Sequence, residues 1–189
     1  ELEATIRLAH DIGARPIVIH PGPIDCPGVA PAEALEEVRQ EAIKNLEDFL
    51  SMGSRVAEDM GTVLCVENLR HIPGYVIQSY DELTQLVETV DSPAVGITLD
   101  VGHADQADGL RPAFDAFAPY LRHIHIHDCA DGRDHREIGT GAIDFAVYLE
   151  DLRAYPFTLA IESREEEDAE GCVLRSRDRL REFLGTSAR

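Results

Sequence analysis

Thr62-Val-Leu-Cys-Val-Glu67 is a short apolar run that closes on a carboxylate, with Gly61 before it and Asn68 after it. An apolar run of this length between turn signals reads as a strand buried on both faces, which is the habit of parallel sheets. The same design recurs along the chain. Arg15-Pro-Ile-Val-Ile-His20, Val95-Gly-Ile-Thr-Leu-Asp100, His123-Ile-His-Ile-His-Asp128 and Phe157-Thr-Leu-Ala-Ile-Glu162 are all short, largely apolar and polar at their C-terminal ends. Between and around them, residues 1–13, 31–60, 80–90, 110–121, 143–154 and 171–184 show helical spacing. In 31–60 the apolar positions are Leu35, Val38, Ile43, Leu46, Leu50 and Val56, and Ser79 is placed as the N-cap of the helix that follows it.

Strands alternating with helices predict an α/β fold, a parallel sheet covered by helices. Such folds collect their chemistry at the C-terminal ends of the strands. A doubly wound open sheet gathers ligands at one switch point and uses a glycine-rich first turn. Here polar groups stand at every strand end and no GxGxxG occurs, which favours a (β/α)8 TIM barrel, whose strand ends converge on one axis. A complete barrel has eight strands and about 250 residues. This chain has 189 residues and shows five clear strands, with a further short one expected near 136–139. It also opens in a helix. The expectation is a single barrel domain over 1–189 without its first two strand–helix units. A longer parent chain or a partner, a second copy included, would then cover the open sheet edges.

Composition narrows the function classes. There are 17 basic and 36 acidic residues, a net charge of −19, and Lys44 is the only lysine. So negative a field opposes binding to a phosphate backbone; it fits a solvated acidic surface, and also adaptation to high salt. No stretch is apolar enough to span a bilayer and the first residues carry charges throughout, so a cytoplasmic protein is expected. Cys26, Cys65, Cys129 and Cys172 are scattered without a CxxC, so free thiols are expected rather than disulfides or a zinc knuckle.

Seven of the eight histidines fall at or just past strand ends; His10 sits in a helix, where a surface role is expected. Imidazole and carboxylate together suit first-row divalent ions. Glu67, ending an apolar strand, is costly to bury unless it is paired or metal-bound. In Asp100-Val-Gly-His103 the aspartate points into the mouth and the histidine swings back from the loop. In His123-Ile-His-Ile-His-Asp128 the alternation puts three histidines on one crowded face. His125 is taken as a ligand, His127 as a neighbouring or substrate-binding group, and His123 as a core residue. Glu162 repeats the pattern of Glu67, and two glutamates across one mouth suit proton removal and return.

Taken in order, Ile19-His-Pro-Gly22, Val66-Glu-Asn68, Leu99-Asp-Val-Gly-His103, His125-Ile-His-Asp128, His135 with Gly139-Thr-Gly141, and Ile161-Glu-Ser163 resemble the xylose isomerase-like TIM-barrel superfamily. That group includes sugar phosphate isomerases/epimerases and AP endonuclease family 2, the endonuclease IV-like enzymes. The resemblance runs over residues 17–163 and implies a short seventh strand around 137–139. It implies one divalent metal (Mn²⁺, Co²⁺, Mg²⁺ or Zn²⁺) on Glu67, Asp100, His125 and Glu162. Glu67 and Glu162 would then shuttle a proton through a cis-enediolate, and His103 would hold substrate or orient a carboxylate. The partner implied is a small-molecule sugar or sugar phosphate.

The endonuclease branch implies three zinc ions and cleavage at abasic DNA. His20, Glu67, Asp100, His103, His125, His135 and Glu162 match its ligands, but Arg133 stands where an aspartate is expected, with Asp134 shifted by one. Three readings follow. They are a metal-dependent sugar isomerase or epimerase, a zinc endonuclease, and a barrel portion that binds metal or sugar without turnover. In all of them His20, His103, His127 and His135 are available for substrate or further metal.

Overall fold

A computed structural model describes residues 1–24 and 32–185. Seven strands follow one another: β1 (Pro16–Ile19), β2 (Val63–Glu67), β3 (Val95–Asp100), β4 (Leu121–Ile126), β5 (Asp128–Ala130), β6 (Arg133–Arg136) and β7 (Thr158–Ile161). The helices are α1 (Leu2–Asp11), α2 (Ala32–Met60), α3 (Tyr80–Val90), α4 (Val101–Asp105), α5 (Leu110–Phe117), α6 (Leu149–Ala154) and α7 (Ala169–Leu184). None of them is long and apolar enough to cross a membrane. Of the cysteines, Cys65, Cys129 and Cys172 are buried and free as expected; Cys26 lies outside the described residues.

Five strands form one parallel sheet in the order β1-β2-β3-β4-β7, and β5 and β6 pair as an antiparallel hairpin. The three central strands are almost wholly buried, and the outer β1 and β7 much less so. Helices cover the outer face, where Leu50, Leu83, Leu86 and Phe117 are buried. Each such side chain contributes roughly 1.5–3 kcal/mol on leaving water. Arg39 ties α2 to α3, with Nη1 donating to Glu82 Oε1 at 2.9 Å and to the Val76 carbonyl at 3.1 Å.

The sheet is curled. Arg15 and Pro16 at the start of β1 line one cavity together with Phe157 and Thr158 at the start of β7. His20 just past β1 and Glu162 just past β7 line another at the opposite end. The two outer strands therefore approach each other, as five strands of a barrel do. Where β3 meets β4, Leu121 pairs with Ile97 and His123 with Thr98, so Arg122 is an extra residue. This bulge re-aims the following side chains.

The expected seventh strand at 137–139 is not there. The backbone of 137–143 instead wraps the buried carboxylate of Asp128, which accepts the N–H groups of Gly139, Gly141 and Ile143. The Ile138 N–H donates to Ser176 Oγ. Amides committed to side chains cannot enter a ladder, so β4 pairs directly with β7, His123 opposite Thr158 and His125 opposite Ala160. Two other bounds also differ. The helix expected to reach 121 stops at Phe117, because Leu121 already belongs to β4. The segment expected to be helical from 143 begins with a 3₁₀ turn over Phe145–Tyr148, capped by Asp144. The short helix α4 and the hairpin were not foreseen.

Candidate metal centre

Each expected ligand stands where its strand delivers it. Glu67 ends β2, Asp100 ends β3, His125 lies near the end of β4, and Glu162 follows β7. Parallel neighbours in register put these ends side by side. The ligand atoms of Glu67, Asp100 and His125 all lie within 4.8 Å of one another, and Asp100 and Glu162 share a second such group with His127 and His135. His125 Nδ1 is the common point, 3.1 Å from Glu162 Oε2, 3.2 Å from Glu67 Oε2 and 3.9 Å from Asp100 Oδ2. It is buried and aligned for a hydrogen bond with none of them. A buried nitrogen facing three carboxylates without a partner is the donor set of a divalent cation, and the residues present fit one.

The surroundings hold these groups still. Asp100 is fully buried, and both its oxygens accept from His127 Nε2, at 3.1 and 3.0 Å. His127 Nδ1 accepts the His135 N–H at 2.8 Å. A backbone N–H can only donate, so Nδ1 accepts in this shorter contact and Nε2 is the nitrogen that donates to Asp100. His127 therefore orients Asp100. Such a partner fixes the ligand and raises its basicity. Gly102 makes room for this ring, since a Cβ there would run into it. Asn68 grips Asp100 from the backbone, accepting its N–H at 2.8 Å and donating to its carbonyl at 3.1 Å.

His103 Nδ1 lies 3.2 Å from Glu67 Oε1, and its backbone N–H donates to Asp100 Oδ1 at 2.7 Å. The more exposed His20 reaches Glu67 Oε2 with Nε2 at 3.0 Å. His135 has a φ of +57°, a left-handed conformation rare outside glycine. This lays its ring flat on His127 at 4.4 Å between centroids, with Nε2 3.5 Å from Glu162 Oε2. His123 is buried nearer the start of β4, with Nδ1 unpartnered and a pKa lowered chiefly by burial. His10, as expected, is a surface residue, 2.8 Å from the Met60 carbonyl.

Asp134 was singled out only as an aspartate out of place. It turns into the cluster, 2.9 Å from His135 Nδ1 and 3.7 Å from His103 Nε2. Leu69, Arg70, Tyr75 and Arg164, on loops past the strand ends, line the cavity above the centre, of about 370 Å³, with Glu67, His103, His135 and Glu162. No periodicity marked these loop residues.

In the metal-free protein the imidazoles carry the compensating charge. Burial alone would push the Glu67 carboxyl up, yet His103 and His125 hold it at about 2. The close imidazoles of His125, 3.1 Å away, and then His135 put Glu162 well below the usual carboxylate range. Burial works against a proton on His125, but Glu162 and Glu67 raise its pKa to about 10. Glu162 and then Asp134 raise His135 to about 9, overcoming partial burial. Groups raised from 6.5 stabilise the fold fully below that value and lose the contribution as pH rises through about 9 to 10. A metal needs His125 Nδ1 bare. Its binding at pH 7.5 is therefore expected to expel about one proton from His125 and to tighten as pH rises. Calorimetry in buffers of differing ionisation enthalpy measures this, and an ion bound with no proton released would contradict the assignment.

Comparison with known proteins agrees with this fold. The family model described as xylose isomerase-like TIM barrel matches residues 1–183. The uncharacterized protein MJ1311 of Methanocaldococcus jannaschii is 31% identical over 187 residues, 93% of this chain and 58% of that protein. D-psicose 3-epimerase of Enterocloster bolteae is 30% identical over 121 residues, 61% of this chain and 36% of that one. Probable endonuclease 4 of Mesomycoplasma hyopneumoniae is 28% identical over 160 residues, 77% of this chain and 52% of that one. The crystal structure of a D-tagatose 3-epimerase-like protein superposes with a TM-score of 0.79 at 27% identity, covering 97% of this chain and 67% of that one. The chain thus spans little more than half, or less, of these curated relatives. Strand order, the ligand cluster at the strand ends and the match over nearly all its residues place the chain in the xylose isomerase-like TIM-barrel family.

Proposed function

We propose that this chain carries the metal-binding and proton-transferring side chains of a divalent-metal-dependent ketose epimerase. The observation that carries the reading is the pair Glu67 and Glu162. They come from well-separated strands, both reach His125 Nδ1, at 3.2 and 3.1 Å, and both line the same cavity. The names of the psicose and tagatose epimerase relatives supply the substrate class.

A divalent ion on Glu67, Asp100, His125 and Glu162 would supply Lewis-acid polarisation of the ketose carbonyl and the adjacent hydroxyl. One glutamate takes the proton from the carbon beside the carbonyl. The other returns a proton to the opposite face of the resulting enediolate, which inverts that carbon. His103, its pKa raised by Glu67 and Asp100 against the opposing effect of burial, donates a hydrogen bond to a substrate oxygen at the cavity wall. His127 and Asn68 keep Asp100 from turning.

Incubation of the metal-loaded protein with D-psicose, D-tagatose or L-ribulose in deuterated water tests this. Inverted ketose carrying solvent deuterium at the epimerised carbon, with about one metal per chain, is the expected result. A second reading, a zinc endonuclease acting at abasic sites, draws on one observation, the turn of Asp134 into His103 and His135. Abasic-site DNA is therefore run alongside. Cleavage with about three zinc ions and no ketose turnover would replace the first reading by the second.

A further inference from the structure

One wall of the cavity above the metal centre carries neither a metal ligand nor an acid–base group. Leu69, Arg70 and Tyr75, from the segment after β2, and Pro23, from the segment after β1, make it up. The sequence sets its shape. Ile72-Pro73-Gly74-Tyr75 is a turn closed by the Tyr75 N–H, which donates to the Ile72 carbonyl at 3.1 Å. Proline at the second position and glycine, with φ +93°, at the third are the preferences of a type II turn.

The turn is fastened on both sides. Pro23 and Tyr75 form an antiparallel bridge. Around it the Ile24 N–H donates to the Gly74 carbonyl at 2.7 Å, and the Val76 N–H donates to the Gly22 carbonyl at 3.1 Å. Gln78 Nε2 donates to the Tyr75 carbonyl at 3.0 Å. On the other side Arg70 Nη1 donates to Gln106 Oε1 at 3.3 Å. His71 Nδ1 lies 3.0 Å from Asp108 Oδ2, and its ring meets the buried Tyr80 edge-on. Tyr75 is thus set in place by its backbone and by both neighbouring loops. Its side chain, by contrast, is uncommitted. The residue is half-buried, and its hydroxyl makes no hydrogen bond among the described residues. Such a tyrosine presents an apolar body and a free polar tip. A sugar has the matching surface, C–H groups between hydroxyls.

We propose that Tyr75 is a specificity-determining residue, whose ring packs on the C–H face of the ketose carbons farthest from the reacting one. The proposal rests on the epimerase reading and goes beyond it. Glu67 and Glu162 stand at strand ends, whereas Tyr75 stands on the turn bridged to Pro23 and pairs with neither of them. The carbonyl end of the sugar belongs to the strand ends, and the far end meets the wall. A longer ketose covers more of the ring and gains more from it.

The test is steady-state kinetics of the metal-loaded protein on a six-carbon ketose, D-psicose, and a five-carbon one, L-ribulose. Tyr75→Ala is expected to raise KM for D-psicose about 10-fold with little change in kcat, because the groups that move the proton are untouched. It is expected to lower kcat/KM more for D-psicose than for L-ribulose. Tyr75→Phe keeps the ring and is expected to restore most of the loss. Ile72→Ala, in the same turn but exposed and outside the cavity wall, is expected to leave KM unchanged. An unchanged KM in Tyr75→Ala, an equal loss for the two sugars, a Tyr75→Phe variant as impaired as Tyr75→Ala, or an equal rise of KM in Ile72→Ala each overturns the proposal. If the native protein turns over neither ketose, the epimerase reading fails. Calorimetric titration of the metal-loaded protein with the two ketoses then decides the role of Tyr75 by itself. Binding that Tyr75→Ala weakens more for D-psicose than for L-ribulose supports it, and absence of binding, or binding indifferent to the variant, overturns it.

Discussion

Glu162→Gln is expected to cut ketose turnover by about 10²- to 10⁴-fold, the usual weight of a positioned acid–base group, while the protein still binds its metal. Glutamine keeps a carbonyl oxygen where the carboxylate stood, so one ligand atom survives. It cannot take or return a proton. Removing the carboxylate also removes the largest influence holding the His125 pKa up, which makes the imidazole easier to deprotonate for the ion and partly offsets the lost ligand charge. The measurement is kcat alongside metal affinity. A variant with more than a tenth of the native kcat would remove Glu162 from the proton path, and loss of metal and activity together would make it a ligand only.

Asp128→Ala is expected to have the largest effect on stability, about 3–5 kcal/mol, although the Asp128 carboxylate bonds only backbone amides. Its carboxylate is 1% exposed and accepts four backbone N–H groups, from Cys129 at 2.9 Å, Gly139 at 2.8 Å, Gly141 at 2.9 Å and Ile143 at 3.2 Å. A hydrogen bond to a charged acceptor contributes roughly 1.5–3 kcal/mol, and donors left unpaired cost more than the bonds themselves. Gly141 allows the close approach, since a Cβ there would meet the same carboxylate. Urea unfolding of the metal-free protein reads the effect, and a loss below about 1 kcal/mol would show that water replaces the carboxylate.

β2 and β3 were legible because burial on both faces leaves a nearly uninterrupted apolar run, and a charged residue at its end has little reason to be there except chemistry. The gathering of Glu67, Asp100, His125 and Glu162 at the strand ends was legible for the same reason. The seventh strand was misjudged because residues 137–143 carry a strand-like length but spend their amides on Asp128 and Ser176, a tertiary fact with no local signature. His127 was legible as a neighbour of the centre, but its hold on Asp100 depends on the His135 N–H, eight residues away in a hairpin. Asp134 looked displaced by one position in the sequence, yet the left-handed His135 and the hairpin bring it to the cluster.

The loop around Asp128 is also fastened to the last helix. Glu137, nearly buried, receives Arg175 at 2.7 Å and Arg179 at 2.6 Å from α7, and Arg179 reaches the Ile138 carbonyl as well. Ser176 joins the Ile138 amide to Ser163, the residue after Glu162. Fraying of the C-terminal helix therefore cannot stay local. Amide protons of Gly139 and Gly141 should exchange with solvent in the same opening event that releases residues 175–179, and Glu162 would loosen with them. α7 thereby sets how long the rim around Glu162 stays assembled.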